Sequence, residues 1–188
     1  MAVAPTLGFD MTTSRFRGEG DRGRHSGRFW LSLSLAGSTF AAGILLMASD
    51  GAMGGVQRLF ARITSTILGW LGQATVAHGN AVLSGTFGIS VVTACTGLFV
   101  TTLFVVAVLL FPTTWRARLF GSAIGVVGLF AVNVVRLVSL YYIGVHWPDA
   151  LETVHQLVWQ SLVILIAVGL WLVWAGRVPL VRVRRVPR

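Results

Sequence analysis

Residues 119–143 read LFGSAIGVVGLFAVNVVRLVSLYYI, an apolar run whose only charge is Arg136. A helix needs roughly 20 apolar residues to cross a bilayer core of about 30 Å, and this run meets that length. Working outward, the chain repeats the pattern at residues 95–111 before it, 154–175 after it and 29–48 near the start. Over the whole chain 55% of residues are apolar and 11% are charged, about half the charged fraction of an average soluble domain. The mean hydropathy is strongly positive. These observations predict an all-α membrane protein with about four transmembrane helices.

The net charge of +9 comes entirely from arginine. Five arginines precede the first apolar stretch (Arg15, Arg17, Arg22, Arg24, Arg28), Arg116 and Arg118 separate the second from the third, and five follow the fourth (Arg177, Arg182, Arg184, Arg185, Arg188). Arginines at the ends of apolar stretches read as topology rather than as a nucleic-acid surface. By the positive-inside rule both termini and the Arg116 loop are cytoplasmic, with residues 49–94 and 144–153 on the outer face. The expected organisation is a disordered Arg-rich tail over 1–28, a transmembrane domain over 29–176 and a basic cytoplasmic tail over 177–188. The first stretch begins late, is long and lacks a small-residue cleavage site, so it reads as an anchor rather than a signal peptide.

Between the first two spans, residues 56–76 place Leu59, Phe60, Ile63, Ile67, Leu68 and Leu71 at helical spacing among Arg58, Arg62, Thr66 and Gln73. This predicts an amphipathic helix on the outer face, in the interface or packed on the bundle. Residues 75–92 break that period with Gly79-Asn80, Gly85 and Gly88, a composition suited to a short hairpin or an extended re-entrant segment.

Three polar residues fall at one depth by topology alone: Cys95 opens the second span, Arg136 lies inside the outer end of the third and His155 opens the fourth. Cys95 is the only cysteine, so it forms no intrachain disulfide. At a helix start its thiolate gains from free amides and the helix dipole, and a nearby arginine would lower its pKa further. The competing reading is a small packing residue, with Thr96 and Gly97 serving close helix contact. An arginine inside a span costs about 2.5–3.5 kcal/mol and normally faces the bundle interior. Asn133 shares its helix face, placed either to hold the guanidinium or to bridge two helices. His146 competes with His155 for any acid–base role, and His146, Asp149, Glu152 and His155 match no strong zinc spacing.

Taken together, Ala94-Cys95-Thr96-Gly97-Leu98, then Asn133-Val134-Val135-Arg136-Leu137, then His155 at the head of the last span resemble the exosortase/archaeosortase family of membrane enzymes. The resemblance covers roughly residues 55–176, with Thr96 where serine is usual and Leu137 where isoleucine is usual. It implies that Cys95 is a nucleophile, His155 a general acid/base and Arg136 the stabiliser of the thiolate or oxyanion, with no cofactor and no metal. It further implies, as partners, membrane-anchored substrate proteins whose C-terminal sorting signal combines a short motif, one transmembrane helix and a basic cluster. Cleavage would occur at the outer face of the cytoplasmic membrane through a thioacyl intermediate. The contrasting reading is a non-enzymatic assembly or lipid- or solute-binding bundle in which Arg136 pairs with Glu152 or a lipid phosphate.

Overall fold

A computed structural model describes residues 19–85 and 87–179. The first helix, α1 (Glu19–Ala48), starts well ahead of the apolar stretch, so residues 19–28, expected as disordered tail, are helical. Residues 1–18 of that tail and 180–188 of the C-terminal one lie outside the described residues.

Ser49, in an extended conformation, separates α1 from α2 (Asp50–Trp70). This is the expected amphipathic helix, shifted towards the N-terminus. It packs on the bundle through a stripe of Met53, Phe60, Ala61, Thr64 and Leu68, while Leu59 and Trp70 stay exposed. It stops where Leu71 caps it and Gly72 turns to φ 83°.

The Gly-rich segment that follows forms one strand more than a hairpin. β1 (Val76–His78), β2 (Ala81–Leu83) and β3 (Gly88–Ser90) make an antiparallel meander in that order, with Ala77 opposite Val82 and Val82 opposite Ile89. The first turn is Gly79-Asn80, where glycine supplies the positive φ of 61° that a two-residue hairpin turn needs. Val82 is fully buried beside Leu68, Leu137 and Tyr141 in one core cluster, so the sheet lies on the α2 and α4 side of the bundle rather than free above it.

A 3₁₀ turn, Thr93–Thr96, leads through Gly97 into α3 (Leu98–Leu110). Cys95 therefore precedes this helix instead of opening it. At about 1.5 Å per residue its thirteen residues rise only about 20 Å, less than a bilayer core. Among the described residues three helical runs are long and apolar enough to cross a membrane, Trp30–Ala48, Trp115–His146 and Pro148–Arg177, and α3 is a shorter apolar helix beside them.

After Pro112, α4 (Trp115–His146) runs uninterrupted for 32 residues, with Thr114 accepting from the Ala117 amide at its start. Pro148 opens the last run: a 3₁₀ turn to Ala150, α5 (Leu151–Thr153), a π-helical segment (Val154–Trp159) and α6 (Gln160–Arg177). α3 packs against α1, α4 and α6. The α3–α4 approach depends on Gly125, because a Cβ there would overlap the ring of Phe104. Phe104, Val108, Leu129 and Ala167 form a second core cluster between these helices.

Candidate functional site

Cys95 sits in the 3₁₀ turn, where its amide donates to Val92 O (2.8 Å), and its side chain is buried. The turn is tied internally by Thr96 Oγ1, which donates to Thr93 O at 2.7 Å. It closes at Gly97 with φ 66°, a left-handed conformation in which a side chain is costly. Thr96 and Gly97 thus shape the turn that carries the thiol, and Gly97 also lets that turn lie close against Asn133 of α4.

His155 is half-buried in the π segment Val154–Trp159. Single π turns inside α-helices often mark functional sites, because the extra residue re-aims side chains and loosens the regular backbone hydrogen bonding. Here His155 Nε2 lies 3.0 Å from Cys95 Sγ, and the His155 carbonyl accepts from Arg136 Nη2 at 3.4 Å.

Arg136, ten residues before the end of the membrane-length helix α4, is 2% exposed. It faces the bundle interior, and its Nε has no hydrogen-bond partner. Glu152, a possible ion-pair partner by sequence, accepts instead from the side-chain amide of Gln156. The structure thus brings Cys95, Arg136 and His155 together from three separate elements, as their common depth in the sequence implied. Asn133 serves a different partner from the guanidinium: its Nδ2 donates to Cys95 O at 2.6 Å, bridging α4 to the turn.

The rival imidazole is held elsewhere. His146 Nδ1 donates to Tyr142 O at 2.9 Å, and its ring packs between those of Tyr142 and Trp147. Among the described residues no three of His, Cys, Asp and Glu are grouped as metal ligands.

The electrostatics depart from the sequence expectation. Cys95 lies in the turn ahead of the apolar helix, outside the membrane-spanning segments, and burial raises its thiol pKa. The backbone hydrogen bond at Val92 and the charge of Arg136 act in the opposite direction without overcoming it. Removing the thiolate from water outweighs the stabilisation that these groups return.

A cavity of about 190 Å³ opens beside the site, lined by Thr93, Ala94, Gly97, Arg136 and Gln160 among others. An apolar groove of about 470 Å³ runs between α3 and α6 along Leu103, Ile164, Val168 and Trp171. The two share Phe99, Val100 and Gln160. Gln160 and the π segment escaped the sequence reading. The glutamine leaves a signal, an amide just inside an apolar stretch, whereas a π turn leaves none in hydropathy.

Compared with known protein families, residues 26–175 match the transmembrane exosortase family. No curated protein and no solved structure matches the chain.

Proposed function

The chain belongs to the transmembrane exosortase family, and from that premise we propose that it is a membrane-embedded cysteine peptidase or transpeptidase that cleaves the C-terminal sorting signals of exported proteins. The observation that carries this reading is the Cys95 Sγ to His155 Nε2 approach of 3.0 Å beside a buried guanidinium. A thiol, a base that titrates near neutrality and a fixed cation are what acyl transfer through a thioester requires.

The raised thiol pKa favours a neutral pair at rest, with Cys95 S–H donating to Nε2. As Sγ bonds to the scissile carbonyl carbon, its proton passes to His155, and the carbonyl π electrons move to oxygen to give a tetrahedral oxyanion. Arg136 supplies positive charge to that oxyanion from a water-poor site, where such charge acts strongly. Collapse breaks the C–N bond, His155 gives its proton to the leaving amine, and a thioester remains on Cys95. Attack by an amine or by water, with His155 again taking a proton, releases the product and restores the thiol. The arginine distribution supports a topology with the termini in the cytoplasm and this site towards the outer face of the cytoplasmic membrane.

The test compares membrane proteins from cells carrying the wild type or Cys95→Ala by mass spectrometry. Precursors that retain a C-terminal helix and basic tail only in the variant are expected. Their absence, with both proteins present in the membrane, overturns the reading. It would favour a lipid- or solute-binding bundle, for which the 470 Å³ apolar groove is the supporting feature.

A further inference from the structure

One turn of α4 touches the backbone of both reacting partners. Asn133 Nδ2 donates to the carbonyl of Cys95 (2.6 Å), and Arg136 Nη2 donates to the carbonyl of His155 (3.4 Å). Residues three apart share a helix face, so the relative positions of the two carbonyls are referred to a single rigid element.

Asn133 is 1% exposed, deep enough that its amide orientation is set by its partners. The nitrogen must face the Cys95 carbonyl, which leaves Oδ1 facing Gly97, buried and without a hydrogen-bond partner. A Cβ at position 97 would lie 3.2 Å from Oδ1, and the backbone there has φ 66°. Glycine at 97 therefore suits asparagine at 133: the missing side chain lets the amide approach the turn closely, and the amide satisfies the Cys95 carbonyl that the short turn leaves without a helical partner.

We propose that Asn133, seated against Gly97, is the positioning residue of the nucleophile: it holds the Cys95 turn so that Sγ meets His155 Nε2. This rests on the reading of Cys95 as the nucleophile. Asn133 touches no reacting atom, and it acts by keeping the sulfur within reach of the imidazole. Misplacement on the scale of 1 Å can cost about 10²-fold in rate, which is the order of loss expected from freeing the turn.

Because Cys95 is the only cysteine, N-ethylmaleimide reports on it alone in the full-length protein in membranes. In the wild type, the pH profile of alkylation carries the contribution of the His155 pair. Asn133→Ala is expected to shift that profile towards that of His155→Ala and to lower kcat for processing by about 10- to 100-fold with little change in KM. Asn133→Ser, which keeps a hydroxyl donor, is expected to recover part of both, and Gly97→Ala to disturb both from the other side of the contact. A wild-type alkylation profile and processing within about twofold of wild type in Asn133→Ala would overturn the proposal, since both measure geometry at the sulfur. Where Asn133→Ala does not accumulate, Asn133→Ser and Gly97→Ala decide by the same two measurements. A shifted alkylation profile in a protein whose wild type processes nothing would show that Asn133 holds Cys95 against His155 and would remove the peptidase reading on which its catalytic meaning rests.

Discussion

Cys95 and His155 are sixty residues apart in the chain, yet Sγ and Nε2 lie 3.0 Å apart, with one on a 3₁₀ turn and the other on a π segment. Neither element is the regular helix that hydropathy predicts at these positions. Both depart from α geometry where the thiol and the imidazole must turn towards each other.

Replacing either member of this pair is expected to abolish processing while the protein still accumulates. Cys95→Ala and His155→Ala should each leave no detectable product, and His146→Ala should stay within about twofold of wild type because that ring is held by Tyr142 and Trp147. Quantifying precursor and product on immunoblots of a tagged substrate checks all three. Activity that survives Cys95→Ala removes the thiol mechanism.

Arg136→Ala should lower kcat by about 10²- to 10³-fold, the usual cost of losing an oxyanion-stabilising donor. Arg136→Lys keeps the charge but loses the planar fork that reaches the His155 carbonyl, so only partial recovery is expected. Steady-state processing in detergent or nanodiscs distinguishes a loss in kcat from one in KM.

The raised Cys95 pKa has a definite sign. A thiol whose pKa is raised forms thiolate only at higher pH, so in His155→Ala the alkylation rate should climb at a pH above that of an ordinary exposed cysteine. The wild type, whose proton can pass to His155, should react at lower pH. Alkylation rates between pH 6 and 10 decide this, and a His155→Ala profile at or below that of a free thiol would contradict it.

The π segment can be tested by deletion. Removing Leu157 lets the run Val154–Trp159 close into α geometry and so removes the wider turn that presents His155. Processing should be lost, and the alkylation profile should match that of His155→Ala. Retained processing would mean that the π turn is dispensable.

Packing between α3 and α4 predicts a stability effect remote from the chemistry. A side chain at Gly125 would overlap Phe104, so Gly125→Val should destabilise by about 1–3 kcal/mol through overpacking. Adding Phe104→Ala should recover part of that loss. Thermal denaturation in detergent reads both variants, and additive losses would show that the two residues do not share the contact.

Much of this was legible in the chain. Hydropathy located the long spans because a bilayer imposes length and apolarity on any segment that crosses it. The scarcity of polar groups in those spans then made Cys95, Arg136 and His155 conspicuous. The amphipathic helix was visible from its period, although its ends were misplaced: Asp50 to Gly55 carry too little apolar pattern to register as helix, and Gly72 ends it early. The third strand was missed because Gly88, Ile89 and Ser90 owe their conformation to pairing with β2 rather than to their own propensity.

The sequence by itself determined that the chain is a helical membrane protein and which residues stand out chemically, since the cost of burying charge and backbone in lipid acts residue by residue. Only the tertiary structure decided how those residues meet. The partner of Asn133, the burial that raises rather than lowers the Cys95 pKa, and the π turn that presents His155 all arise from contacts between segments far apart in the chain, and no local pattern records such contacts.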